Sequence, residues 1–278
     1  MASARLDADC VVVGAGLSGL AAASRLRDAG LDTVVVGARD RVGGRAHTVR
    51  LDDGMAVDVG GQWRGVAHDR VARLGEAHGA SSWVQRVRGD TLVHACDRTV
   101  AVRESIPVAL GPLTLGAGTL AMLWLESMAR QVPTDRPWAA PKARAWDSQT
   151  LDTWLCRHVP ARRARSLLYT ILSGTMAADP ADVSLLHALV NLHADGASGT
   201  DLEAAVHVAQ HASFTDGMGA LAERVAATLD DRIRLGHPVR RIRHSATGVE
   251  VEADDLEVRA RRVIVAIPPT LAGRIDYD

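Results

Sequence analysis

The run Cys10-Val-Val-Val13 is continuous and apolar, the pattern of a strand buried on both faces in a parallel sheet. Gly14-Ala-Gly-Leu-Ser-Gly19 follows at once. Helix formers then run from Leu20 to Ala29 and stop at Gly30, which predicts a helix with a glycine C-cap. Thr33 to Val36 is a second β-branched run. Strand, glycine loop, helix and strand within about thirty residues is the βαβ unit of dinucleotide-binding folds. Further on, residues 65–79 predict a helix with Val71, Leu74 and Ala77 on one side. Residues 80–206 change character: the pattern is helix-rich, broken by joints at Pro133, Pro137, Pro141 and Pro160. After Asp216-Gly217, apolar residues at Leu221, Val225 and Leu229 predict another amphipathic helix. Val239–Ile242, Gly248–Glu252, Glu257–Arg259 and Arg262–Ile267 read as four β segments.

Ile106 to Leu125 is uncharged for twenty residues, long enough for a membrane span. Pro107, Gly111, Pro112, Gly116 and Gly118 interrupt it, so the expectation is a short strand, a turn at Gly111-Pro112, and a buried helix over about 117–131. The residues before Cys10 leave no room for a signal peptide, and the chain reads as cytoplasmic, with no membrane contact.

Composition narrows the classes. The chain has 278 residues with 32 basic and 33 acidic, a formal net charge of −1, which argues against a nucleic-acid partner. Hydrophobic residues at 47% and charged residues at 23% argue against disorder. Cys10, Cys96 and Cys156 show no paired or metal spacing and read as buried free thiols. His187, His193 and His207 read as helix surface or core, not ligands, and no metal site is expected. Lys142 is the one lysine.

Gly14, Gly16 and Gly19 have separate tasks: a tight turn, close approach of a pyrophosphate, and close helix–strand packing. N–H groups at the start of the helix then face the phosphates. The fingerprint also asks for an acid at the end of the second strand, to hold the ribose hydroxyls. Gly37 stands there, with Asp32 before the strand and Asp40 beyond the site. A charged hydrogen bond of that kind contributes about 1.5–3 kcal/mol, so its loss weakens binding on the order of tenfold to a hundredfold unless another group replaces it.

The stretch Ala38-Arg-Asp-Arg-Val-Gly-Gly-Arg45, followed by Asp58-Val-Gly-Gly-Gln-Trp63, resembles the flavin-dependent amine oxidases, the monoamine, putrescine, polyamine and L-amino acid oxidases. Phe214-Thr-Asp-Gly217, His237-Pro-Val-Arg-Arg-Ile242 and Val263-Ile-Val-Ala-Ile-Pro-Pro-Thr-Leu271 resemble later segments of the same family, in order. The resemblance implies FAD as cofactor and a small-molecule amine as substrate. It places Gly14, Ala15, Gly16, Ser18 and Gly19 along the pyrophosphate, and Arg39 and Arg45 near adenosine and pyrophosphate. Gly43 and Gly44 would let the backbone pass close to the cofactor. Gly60, Gly61, Gln62 and Trp63 would lie beside the isoalloxazine, and the Val239 backbone would meet the adenine. Gly37 takes the family's glutamate position and departs from it.

The implied fold is α/β: a Rossmann-like FAD-binding domain carrying an inserted, mainly helical substrate-domain segment. The expected boundaries are 1–79 and 207–278 for the FAD-binding parts and 80–206 for the partial substrate domain. Measured against the family, the sequence stops early, after Ile275-Asp-Tyr-Asp278, which implies a truncated member. The family's flavin-facing lysine, amine-flanking aromatics and closing glycine-rich segment have no counterparts here. Lys142 does not match that lysine, and no residue is assigned a catalytic role. Four readings follow: an amine-oxidising flavoenzyme, an inactive fragment, one half of a split enzyme needing a partner chain, and a nicotinamide enzyme. The Arg-rich and Gly-Gly-Gln-Trp segments speak against the last.

Overall fold

The computed structural model describes residues 4–66, 68–85, 90–95, 98–102, 111–194 and 210–278. They divide into two units: Met1–Arg64, His68–Val84 and Ala212–Asp278 form one, and Gly65–Ala67 with Gln85–His211 form the other.

The first unit begins with β1 (Ala4–Val13), α1 (Leu17–Asp28) and β2 (Thr33–Val36). β1 pairs in parallel with β2, Cys10 to Val13 opposite Thr33 to Val36. It starts six residues earlier than the apolar run suggested, because Ala4 to Ala8 pair with a strand near the far end of the chain. Residues alternating with Arg5, Asp7 and Asp9 hide that extension from a hydrophobicity reading. Short elements follow: β3 (Thr48–Arg50), β4 (Ala56–Asp58), β5 (Trp63–Arg64), α2 (Asp69–Ala77) and β6 (Ser82–Val84). α2 is shorter than the predicted 65–79 helix, and beyond it the chain turns at Gly79 with φ +63°.

The second unit holds the hairpin β7 (Thr91–Ala95) and β8 (Arg98–Val102), then α3 (Pro112–Ala129), α4 (Ala143–Asp147), α5 (Leu151–His158), α6 (Arg162–Met176) and α7 (Leu185–Ala194). α3 starts at Pro112 and not near residue 117. Proline fits the first helical position, where its missing N–H has no intrahelical role, and Gly111 supplies φ +86° before it. The strand expected near Ile106 lies outside the described residues, as do Cys96 and His207. Cys10 is buried, but Cys156 is exposed and its Sγ lies 3.7 Å from Asp152. The core of this unit is built by Leu125, Leu151, Trp154, Leu155, Leu168, Leu172, Leu185 and Leu189. Among the described residues, no helix is long and apolar enough to cross a membrane.

The chain returns to the first unit with β9 (Ala212–Phe214), α8 (Met218–Ala227), β10 (Ile233–Arg234), β11 (Val239–Ser245), β12 (Gly248–Ala253), β13 (Leu256–Val265), α9 (Pro269–Ala272) and β14 (Asp276–Tyr277). The seven-stranded sheet has the order β10-β2-β1-β13-β12-β11-β14. The two β segments predicted at 257–259 and 262–267 are one strand, β13. It pairs in parallel with all of β1, and its first half also pairs antiparallel with β12. Side-chain alternation splits the apolar residues of β1 between two cores. Val12 joins Leu20, Ala23, Leu221 and Val225 from the helices. Val11 and Val13 join Ile242, Val251 and Val258.

Candidate functional site

The carboxyl ends of β1 and β2 carry the site. Gly14 leaves β1 with φ +116°, and its N–H donates to Val36 O (2.8 Å). A Cβ on Gly14 would come within 2.7 Å of Ala266 O. A Cβ on Gly19 would come within 1.9 Å of Gly14 O, so the first turn of α1 rests directly on the loop. Gly16 differs. Its φ of −80° suits any residue, and the nearest atom to a Cβ there is Gly43 O at 3.9 Å. The space over Gly16 is unfilled by protein.

Gly43 and Gly44 pack against this loop. Gly43 pairs with Gly16, and its N–H donates to Ala15 O (2.8 Å). Both glycines have positive φ, +90° and +62°, and a Cβ on Gly44 would lie 3.3 Å from Gly16 Cα. Arginines brace the turn from outside: Arg39 donates to Gly44 O (3.0 Å), and Arg41 donates to Gly44 O (2.9 Å) and Val42 O (3.1 Å). Arg45 is exposed, and its guanidinium has no hydrogen-bond or ion-pair partner among the described residues. Its carbonyl accepts the Gly61 N–H (2.9 Å) and would meet a Cβ on Gly60 at 2.0 Å. Gly60 and Gly61 are thereby tied to the same turn. Gln62 leads into β5, where Trp63 pairs with Ser213.

Two helices of this unit start at glycine, and only one start is closed. At α8 the Asp58 carboxylate accepts the Met218 N–H (3.0 and 3.1 Å), and Thr48 Oγ1 accepts the Gly219 N–H (2.8 Å). Thr48 in turn donates to Asp58. At α1 no side chain among the described residues accepts from the first-turn N–H groups, and Ser18 is exposed. The positive end of that helix is left for an external acceptor. Thr48 and Asp58 were not anticipated from sequence. Their partners lie about 160–170 residues away, and no local pattern joins them.

Gly37 is buried at the end of β2. Its N–H donates to Arg234 O (2.7 Å), and its carbonyl accepts the His237 N–H (2.9 Å). A Cβ there would meet Leu235 Cδ2 at 2.9 Å and Ala15 Cβ at 3.0 Å, so Leu235 occupies the side-chain space. His237 Nδ1 lies 2.6 Å from Asp255. Val239, two residues on, opens β11 opposite Ala253. At the base of the site, burial pushes the Cys10 thiol above its ordinary pKa, and the neighbouring Asp9 charge adds to the shift.

The sequence profile for flavin containing amine oxidoreductases matches residues 17–278. The chain belongs to that family. It is 33% identical to human amine oxidase [flavin-containing] B over 271 residues, covering 97% of this chain and 52% of the relative. Among solved structures, putrescine oxidase bound to putrescine superposes with a TM-score of 0.89 at 30% identity, covering 99% of this chain and 61% of that one. Cyclohexylamine oxidase from Brevibacterium oxydans IH-35A gives 0.88 at 29%, covering 98% and 60%. The chain thus spans about half the length of the relatives in sequence and about three fifths of the solved chains. Gly37 is where this family member lacks an acid at the end of its second strand.

Proposed function

We propose that this chain holds FAD for the oxidation of a small amine, and that residues 4–64, 68–84 and 212–278 belong to the cofactor-binding domain. The observation that carries the reading is the contrast between two helix starts. α8 is closed by Asp58 and Thr48, whereas α1 is open above a glycine loop with room over Gly16. That opening fits a pyrophosphate. Glycine backbone, N–H groups and the Arg45 guanidinium, without partners among the described residues, are the donors an anion of that shape requires.

On this reading the N–H groups around Gly14, Ala15, Gly16, Ser18 and Gly19 bind the phosphates. Gly43 and Gly44, braced by Arg39 and Arg41, keep side chains out of the approach, and Arg45 supplies positive charge. Gly60, Gly61, Gln62 and Trp63 line the way to the ring system, and the Val239 backbone faces the adenine. The ribose end fits less well. Gly37 offers no carboxylate and Leu235 fills its place, so affinity rests on the phosphate contacts.

The chemistry supplied by bound FAD is two-electron oxidation of an amine to an imine, with O2 as final acceptor and peroxide as product. The residues named above bind and orient; none is assigned a proton-transfer role. A second reading, cofactor binding without amine turnover by these residues alone, is favoured by Lys142. It is the one lysine of the chain, and it lies at the start of α4 in the helical unit, away from the glycine loop in sequence.

The test is the visible spectrum of the purified chain after incubation with FAD and desalting. A retained flavin band in the natural chain and its loss in Gly16→Ala is the expected pair of results. Absence of a band in a folded natural chain overturns the reading. Peroxide release on adding amines then separates turnover from binding alone.

A further inference from the structure

The helical unit contains a cavity of about 300 Å³ that the cofactor reading does not use. Its walls come from α3, α4 and α5. Trp154 is buried and stacks on His158, with ring centroids 4.8 Å apart and planes 27° apart. Trp124 stands edge-on to both, at 5.3 and 4.8 Å, yet is 49% exposed. Trp146, 5% exposed, forms part of the wall. Trp146 and Trp154 also serve the core of the unit, but a half-exposed Trp124 does not.

Charge gives the cavity its selectivity. Lys142 and Arg157 both line it and are exposed, and neither side chain has an ion-pair or hydrogen-bond partner among the described residues. Among the described residues, no carboxylate lines it. His158 Nδ1 lies 2.8 Å from Trp154 O. A carbonyl can only accept, so Nδ1 carries a proton, and Nε2 has no hydrogen-bond partner among the described residues.

We infer that this cavity is a binding site for a small aromatic carboxylate, its ring against Trp124 and its carboxylate between Lys142 and Arg157. The volume lies at the small end of ligand pockets and suits a single ring. Indole and imidazole faces favour an aromatic guest, and two unpaired cations favour an anionic one. The same two cations disfavour a cationic guest. The inference stands independently of FAD binding.

The experiment titrates the full chain with 4-hydroxyphenylacetate, following tryptophan emission under excitation that the phenol does not absorb, with calorimetry in parallel. Saturable binding with Kd on the order of 0.1–1 mM is expected for a ligand of this size. Lys142→Gln and Arg157→Gln are surface changes and should each weaken it about three- to fivefold. Trp124→Ala should weaken it about tenfold by calorimetry. The neutral analogue 4-hydroxyphenylacetamide should bind more weakly than the acid to the natural chain, and equally with the acid to the Lys142→Gln/Arg157→Gln double variant. The proposal is overturned by equal affinity for acid and amide in the natural chain. It is equally overturned by natural affinity in Trp124→Ala, or by no saturable binding well above the stated range in a chain whose circular dichroism is that of a folded protein.

Discussion

Gly16 and Gly19 belong to the same fingerprint yet answer to different forces. Gly19 is held by folding, because a methyl group there collides with Gly14 O. Gly19→Ala should cost about 1–3 kcal/mol of stability through overpacking, read as a fall in Tm whether or not FAD is present. Gly16 meets nothing closer than 3.9 Å. Gly16→Ala should keep its Tm without cofactor and weaken FAD binding at least about tenfold by fluorescence titration. Equal Tm losses for both variants would remove the distinction. Gly37 supports a third prediction. Gly37→Glu restores an acid, but Leu235 stands in its way, so the single change should tighten FAD binding less than Gly37→Glu with Leu235→Ala. The double change should gain about tenfold in a direct titration. The sequence alone showed that an acid was missing. It did not show what fills the space, since Leu235 reaches Gly37 only through the pairing of β10 with β2.

Among the elements, helix starts and strand lengths separate what the chain declares locally from what distance decides. β2 coincides with its apolar run, and Leu221 and Val225 are buried on α8 as their spacing predicts, whereas Leu229, also buried, lies in the turn after the helix ends at Ala227. The beginning of β1 does not show in its own residues, because its register is set by Leu256 to Ala260. The cap on α8 is equally remote. Asp58→Ala should destabilise the chain by about 1–2 kcal/mol, measured by chemical denaturation, since the Met218 N–H at the helix start loses its acceptor. Midway along α6, Tyr169 donates to Asp179, which lies beyond the end of the helix and whose carboxylate also accepts the Ala181 N–H (2.8 Å). These bonds, that of Tyr169 first, hold the Asp179 carboxyl below its ordinary pKa, and the same contact pushes Tyr169 up to about 12. A lowered carboxyl contributes stability above its unfolded pKa and loses it as pH falls through the folded value. Tyr169→Phe should therefore raise the Asp179 pKa in an NMR titration; an unchanged value would deny the contact.

On the scale of the whole chain, each of the two units has apolar packing of its own, and the β1-α1-β2 unit at the front depends on β10 and β13, strands contributed from the end. The residues proposed to hold the cofactor all belong to one unit. Hydrogen exchange with and without FAD should slow amides of β1, α1 and β2, and leave those of α5 to α7 unchanged; protection spread evenly over both would contradict the placement. The helical unit was foreseen as helix-rich from its periodicity. Its cavity was not, because Trp124, Lys142 and Trp154 come from separate helices and only packing brings them together. The uneven crowding around the two glycines also leaves a trace in inheritance. A lineage that gave up the cofactor but still needed a folded chain would be free to drift at Gly16, where any small residue is accommodated, while substitutions at Gly19 would go on being eliminated. The ratio of changes at these two positions among natural variants would thus date the loss of binding in a population, or record that binding has never been relinquished.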